Sequence, residues 1–449
     1  MLYDNVSAIS TASGTGGVAI IRISGESPLK IASQMFAPTG AIKVEDFVPN
    51  FMYTGKIICD GFTDFGMCVY FKAPKSFTGE DVVEFHCHGG VQIARGVLKK
   101  TYALGCRPAS RGEFTKRAFL NGKLSLSSAE GMIDMINAES LAEVRAGSLL
   151  YQEKLTSKVK AVQGVLTDLM ASISADIDYP EEDIERDELS TISQTLDGVL
   201  GGINALLDGY VVGKKIKDGI TVAICGKPNT GKSSLLNALI GYDKAIVSSI
   251  AGTTRDAVEG TIELDGIKFN LIDTAGIREQ AGEIESIGID KAKKILSSAD
   301  VIVFVTEDGE KSGVLDGVQN QNIIKVFNKC DIKAPNGDYD VVLSAKTGEN
   351  VNALKTLLLQ RGVGATSLDG AYLIEERHYL ALARAKNSII SAINAVGAVP
   401  LDLISIDIKE TWQTLGEITG EKAAPAKKPA AKKPAAKKTA ARKTAAKKD

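Results

Sequence analysis

The spacing of apolar positions changes character along the chain, and those changes divide it. Residues 1 to about 117 alternate short β-type runs with Gly and Pro punctuation: Gly17-Val-Ala-Ile-Ile-Arg-Ile-Ser-Gly25, Met67-Cys-Val-Tyr-Phe71 and Asp81-Val-Val-Glu-Phe-His86. A helical pattern follows at Val91 to Leu104, so this part is expected to be a small α+β domain with its own core. From Arg111-Gly-Glu-Phe-Thr-Lys-Arg-Ala-Phe-Leu-Asn-Gly-Lys-Leu124 the period becomes that of long amphipathic helices, onward to about Tyr210, with the acidic break Asp178-Tyr-Pro-Glu-Glu-Asp183 between two of them. At Ile220 the pattern switches to apolar strands alternating with helices, and a second helical block runs from about Glu375 to Glu417. The simplest arrangement is one helical-bundle domain with an α/β domain inserted into it, since insertion needs only termini that lie close together. The boundaries read as 1–117, 118–212, 213–374 for the insert, 375–421 for the returning helices, and 422–449 for the tail.

Composition sharpens this picture at the C-terminus. The formal net charge of −2 hides an asymmetry: residues 422–449 hold 11 Lys/Arg against one Asp, leaving 42 basic and 54 acidic residues in 1–421. The tail repeats Pro429-Ala-Ala-Lys-Lys433 as Pro434-Ala-Ala-Lys-Lys438 and has no apolar residue larger than Ala, so it cannot bury a core and is expected to be disordered. It is either a solvated appendage or a salt-dependent anchor for a polyanion such as RNA. For the rest, 449 residues suggest two to four domains, and 44% apolar with 24% charged residues is a globular composition. The N-terminus lacks signal-peptide character and no apolar run reaches the roughly 18 residues of a membrane span, so a cytoplasmic protein is expected. Six scattered cysteines without a C-x-x-C pair argue against a disulfide framework or zinc site. His86-Cys-His88 alone does not make a metal site; an ordinary strand end or organic-ligand pocket is the simpler reading.

The insert carries the chemistry. Ile220-Thr-Val-Ala-Ile-Cys-Gly226 reads as a strand that runs into Gly226-x4-Gly231-Lys232-Ser233 and then an apolar-periodic helix, the context a phosphate loop requires. Gly226 and Gly231 let the backbone curl so that its N–H groups, from Asn229 and Thr230 to Ser234, face an anion. Lys232 supplies a point charge, and the Ser233 hydroxyl suits Mg²⁺. Beyond it lie Gly252-Thr253-Thr254-Arg-Asp256, a hairpin turning at Leu264-Asp-Gly266, and Asp273-Thr274-Ala275-Gly276. Asn328-Lys329-Cys-Asp331 and Ser344-Ala345-Lys346 follow at further strand ends. In a doubly wound sheet these converge at the carboxyl edge of the strands. Asp273 can hold Mg²⁺ through water, and Thr254 is placed to complete the metal shell once the third phosphate is present. Asp331 selects guanine, because its carboxylate accepts N1–H and the exocyclic amine, a donor pair adenine lacks. Asn328 and Lys329 brace the pocket, and Ser344-Ala345-Lys346 closes it over the base.

Five motifs in this order imply a GTPase. Hydrolysis needs a residue that orients water, yet Ile277 stands where many Ras-like switches carry glutamine; Glu279, Glu283 and Glu285 are the acidic candidates nearby.

Several stretches together closely resemble the tRNA-modification GTPase family called MnmE or TrmE. They are Ile-Ile-Arg22-Ile-Ser-Gly, Glu84…His88-Gly-Gly, the Arg111–Leu124 block, Asp178-Tyr-Pro-Glu-Glu, the inserted GTPase segment and Leu415-Gly-Glu-Ile-Thr-Gly-Glu421. The resemblance runs over residues 1–421 and implies a multidomain fold: an α+β N-terminal folate-binding domain, a helical-bundle domain and an inserted α/β P-loop GTPase domain. It implies a homodimer joined through N-terminal domains, with Arg22, Glu84 and Lys123 contacting a tetrahydrofolate one-carbon derivative (5-formyl- or methylene-tetrahydrofolate). It implies Asn229 as a K⁺ ligand and Glu285 as the water-orienting glutamate, with Lys232 and Thr254 beside the reacting phosphate. It also implies an FAD-containing MnmG-type partner in a heterotetramer, with which an aminomethyl-type group is added to C5 of the wobble uridine (U34) of certain tRNAs. One departure stands out. The family continues through another helix to a terminal Cys-x-Gly-Lys, whereas the Lys/Ala/Pro tail begins here at Lys422, and neither Cys225 nor Cys330 substitutes. GTP hydrolysis is expected to survive that departure; the alternative function is a GTP-switched RNA-binding or assembly factor without the modification step.

Overall fold

The computed structural model describes residues 4–178, 189–242, 260–274, 285–307, 315, 318, 322–363 and 375–420. The tail, most of the Asp178–Asp183 break, and Thr253, Thr254, Ala275, Gly276, Ile277, Glu279 and Glu283 lie outside the described residues.

Within the N-terminal part, β1 (Val6–Ile9), β2 (Val18–Gly25), α1 (Pro28–Ala32), β3 (Phe36–Pro38), β4 (Met52–Cys59), β5 (Phe62–Phe71), β6 (Asp81–His88), α2 (Val91–Ala103) and β7 (Arg107–Pro108) build one sheet in the order β3-β4-β5-β6-β2-β1-β7. All its pairings are antiparallel except β1 with β7. Alternation of Ile21, Ile23, Val83, Phe85 and Cys87 toward one face packs a core with α1 and α2, and leaves Arg22, Glu84 and His86 on the other. The following α3 (Glu113–Leu120) is fastened to this sheet by charge. Arg117, 1% exposed, pairs with Asp4 at 2.7 Å, Glu80 at 3.0 Å and Glu113 at 2.9 Å. Hydrogen bonds from Arg107 above all, and from Arg117, hold Glu113 down at about 2 against the opposing effect of burial. Three carboxylates around one buried guanidinium make this a network in which removing one partner leaves an uncompensated charge.

The helical part consists of α4 (Leu126–Asn137), α5 (Leu141–Tyr151), α6 (Lys154–Asp178) and α7 (Leu189–Asp218), joined much later in the chain by the last two helices. Between them come β8 (Ile220–Gly226), α8 (Lys232–Tyr242), β9 (Gly260–Leu264), β10 (Ile267–Asp273), α9 (Glu285–Ser298), β11 (Val301–Thr306), β12 (Ile323–Phe327), β13 (Val341–Val342) and α10 (Val351–Val363). The chain then closes with α11 (Glu376–Ala395) and α12 (Leu401–Thr419). The second sheet runs β13-β12-β11-β8-β10-β9, parallel throughout except for the β9–β10 hairpin. Its inner strands read as unbroken apolar runs because both faces are covered, as in Val301–Thr306 where every residue is buried.

Helices from before and after the insert form one bundle. Trp412 of α12 is fully buried, its indole N–H donating to Thr167 Oγ1 at 3.0 Å, while Gln163 Nε2 donates to the Trp412 carbonyl at 3.1 Å. Arg377 of α11 forks both oxygens of Glu130 on α4, at 2.5 and 2.7 Å. Where the chain leaves and re-enters the bundle, Lys217 pairs with Glu375 and, at 3.2 Å, with Asp134. Burial and then the Glu375 charge push the Asp134 carboxyl up to about 6. The β9–β10 turn also rests on the bundle, Ala142 N donating to Gly266 O at 2.8 Å and Lys268 meeting Glu139 at 2.8 Å.

His378 of α11 is 0% exposed, and burial, reinforced by the Arg377 charge, pushes its imidazole down to about 3. The unfolded chain therefore takes up a proton below about pH 6.5 that the folded chain refuses, and stability is lost as pH falls through that window. Asp134 works in the opposite sense, so the comparison must isolate His378. The destabilisation caused by His378→Gln should shrink by about 2 kcal/mol between pH 7 and pH 5 in urea unfolding, from about 1.5 pH units at 1.36 kcal/mol each. A difference that stays constant across that range would contradict the buried neutral histidine.

Candidate nucleotide site

β8 lies at the centre of the second sheet, between β11 and β10, so the chain leaving its carboxyl end enters a crevice between two neighbouring strand ends. Gly226 ends the strand where no side chain fits: a Cβ there would stand 2.1 Å from the Val305 carbonyl. The loop then turns through Asn229 (φ 65°) and Gly231 (φ 88°), left-handed conformations that Asn tolerates and Gly favours. Lys232, the first residue of α8 and 6% exposed, folds back so that Nζ donates to the Lys227 carbonyl at 2.7 Å. Thr230 is buried and its hydroxyl donates to the same carbonyl at 2.9 Å. Ser233 and Ser234 stand exposed on the first turn of α8, at a helix N-terminus whose N–H groups favour anions.

Next to β8, the end of β10 brings Asp273 to this turn: Ser233 Oγ donates to Asp273 Oδ2 at 3.2 Å. Thr274 is fastened behind it, its hydroxyl donating to the Ile224 carbonyl at 3.1 Å. A hydroxyl and a carboxylate converging beside a buried lysine form a set of hard oxygen donors, the kind that suits Mg²⁺.

On the other side, β12 delivers Asn328, 2% exposed, with both ends of its amide engaged. Nδ2 donates to the Thr230 carbonyl at 2.9 Å, and Oδ1 accepts from Ala345 N at 3.0 Å. One side chain thus ties the phosphate-type loop to the Asn328–Asp331 loop and to the loop after β13. A Cβ on Gly231 would meet Asn328 Nδ2 at 2.3 Å, so that glycine is required by the approach as well as by its φ. Lys329 (φ 68°) donates from Nζ to the Asn229 carbonyl at 2.7 Å and pairs with Glu307, just past the end of β11. Asp331 and Lys346 are exposed at the rim, while Ser344 is fully buried, its hydroxyl accepting from Thr347 N at 3.2 Å.

Of the residues singled out in the sequence, Asn229, Thr230, Gly231, Lys232, Ser233, Asp273, Asn328, Lys329 and Ala345 are joined by direct contacts or adjacency at one sheet edge. Thr253, Thr254, Ala275 and Gly276 fall outside the described residues, and Glu285 is the first residue of α9. Glu307 was not singled out, although its place at the carboxyl end of a parallel strand was a usable signal.

The N-terminal polar face is separate. Arg22 and Glu84 are directly opposite on β2 and β6, with Nε to Oε1 at 2.7 Å, and the guanidinium lies 5.1 Å from the Phe77 ring and 5.3 Å from the Phe114 ring. Burial opposes the charge on Glu84, but the neighbouring His86 imidazole and the Arg22 guanidinium prevail and hold its carboxyl below the usual range. His86 Nε2 stands 3.5 Å from Glu84 Oε2. Lys123 lies just beyond α3 with its stem over Gly79, where a Cβ would meet Lys123 Cγ at 3.1 Å. Among the described residues no group of three or more His, Cys, Asp or Glu is arranged to hold a metal ion, and no helix is long and apolar enough to cross a membrane.

Residues 5–123 match the family model described as GTP-binding protein TrmE N-terminus, and residues 126–425 match that of the MnmE helical domain. A tRNA modification GTPase MnmE from Carboxydothermus hydrogenoformans is 37% identical, covering 94% of this chain and 96% of its own. Proteins of the same name from Clostridioides difficile and Caldicellulosiruptor saccharolyticus are each 35% identical, covering 93% and 94% of this chain and 95% and 96% of theirs. A site built from five strand-end segments, two family models that leave little of residues 5–425 unmatched and relatives matched over nearly their full length agree: the chain belongs to the tRNA modification GTPase MnmE family.

Proposed function

We propose that the chain hydrolyses GTP at the crevice beside β8 and uses that cycle in modifying the wobble uridine of certain tRNAs. The observation that carries the reading is the Asn328 amide, which ties the phosphate-type loop to both base-side loops while Ser233 and Asp273 converge a few ångströms away. In this reading the N–H groups from Asn229 to Ser234 and the Lys232 ammonium cradle the phosphates. Asp331, braced by Asn328 and Lys329, accepts the two N–H donors of guanine, and Ser344, Ala345 and Lys346 cover the base. Ser233 and Thr254 would hold Mg²⁺ directly and Asp273 through water, with Asn229 serving K⁺; these cations supply charge that offsets what develops on the phosphate oxygens. Thr253, Thr274, Ala275 and Gly276 line the outer phosphate, and Glu285 orients the attacking water.

Arg22, Glu84 and Lys123 would hold a tetrahydrofolate one-carbon derivative, a reading supported by the paired and aromatic-flanked Arg22 guanidinium, which suits a planar, polar heterocycle. The working assembly is then a homodimer with an FAD-containing MnmG-type partner, acting on tRNA in the cytoplasm. The division into 1–117, 118–212 with 375–421, 213–374 and the 422–449 tail is part of the same proposal.

Two measurements test the nucleotide reading. Asp331→Asn replaces an acceptor by a donor, so GTP affinity should fall on the order of a hundredfold while xanthosine triphosphate, with a carbonyl in place of the amine, gains. Unchanged preference would remove Asp331 from the base pocket. GTP hydrolysis by the full chain should be at least about tenfold faster in KCl than in NaCl of equal ionic strength, in line with an added charge-stabilising group at the transition state. Equal rates would count against Asn229 as a K⁺ ligand.

A further inference from the structure

Among the described residues the Lys329 ammonium has two strong partners, the Asn229 carbonyl at 2.7 Å and the Glu307 carboxylate. The two side chains are about one-third exposed, Lys329 at 36% and Glu307 at 35%. β11 lies between β8 and β12 in the sheet, so Glu307, one residue past its end, stands between the phosphate-type loop and the Asn328–Asp331 loop. A lysine carries a point charge on a flexible stem, and a single neutral carbonyl does little to restrict it. A carboxylate as second partner fixes the ammonium by a charge-assisted bond.

We propose that Glu307 is a positioning residue of the GTPase: by holding Lys329 Nζ on the Asn229 carbonyl it keeps the phosphate-type and base-side loops closed on a guanine nucleotide, and so sets how fast nucleotide leaves. The inference rests on the reading of Lys329 as part of the nucleotide site. Glu307 acts through Lys329. Asn328 supplies a second, buried tie between the same loops, so loss of Glu307 loosens the clamp without abolishing it.

The test is stopped-flow release of a fluorescent GDP analogue from the full chain. Glu307→Ala should speed release about fivefold, the scale of a partly exposed ion pair. Glu307→Asp or Glu307→Gln should recover part of that, because each keeps an acceptor near Lys329. In a Lys329→Ala background Glu307→Ala should change nothing further. If Lys329→Ala speeds release but Glu307→Ala does not, or if Glu307→Ala has the same effect in both backgrounds, the positioning role is overturned. If Lys329→Ala leaves release unchanged, the reading of Lys329 in the nucleotide site fails first.

Discussion

The nucleotide crevice depends on one buried amide. Asn328 has its donor on the Thr230 carbonyl and its acceptor on the Ala345 amide, and at 2% exposure neither bond has water as a ready substitute. Leaving such a group half-satisfied costs roughly 1–3 kcal/mol, so the three loops are held to one arrangement or pay that penalty. Nothing shorter than asparagine spans the gap, and Gly231 must lack a side chain for the amide to reach. The parallel register of β8, β11 and β12 makes this possible by ending the strands side by side.

The scaffold answers a different requirement. An insert of this size has to leave and re-enter the bundle without opening it, and the chain does so at Lys217 and Glu375, which pair with each other. The bundle is closed by contacts between residues about 250 positions apart, such as Gln163 with Trp412 and Glu130 with Arg377. The β9–β10 turn adds a second point of attachment through Ala142 and Gly266. The second strand of this hairpin ends at Asp273, so the nucleotide region and the helices are linked by more than the covalent junctions.

Much of this is legible in the sequence, for physical reasons that differ by residue. Gly226, Gly231, Lys232, Ser233 and Asp273 announce themselves because tight backbone turns and anion or metal chemistry each restrict the residue type at fixed spacing. The fold class followed from the switch of apolar period from strand to helix and back. Glu307, Arg117 and His378 were not legible. Each draws its meaning from a partner distant in sequence: Arg117 from Asp4 and Glu80, Glu307 from Lys329, and His378 from burial between helices on either side of the insert. Period and motif say that a position is inside or polar, but they do not say which charge it meets. The glutamate at 285 could be chosen over its neighbours only through family resemblance, since acidic loop residues look alike.

The proposed function joins the Asn328-stitched crevice to a tRNA product. The most direct measurement is mass spectrometry of tRNA nucleosides from cells lacking this protein and supplied with either the wild-type chain or Asn328→Ala. The C5-substituted wobble nucleoside should disappear without the protein, return with wild type and stay absent with the variant. An unchanged nucleoside profile in the deletion, or full restoration by Asn328→Ala, would contradict it.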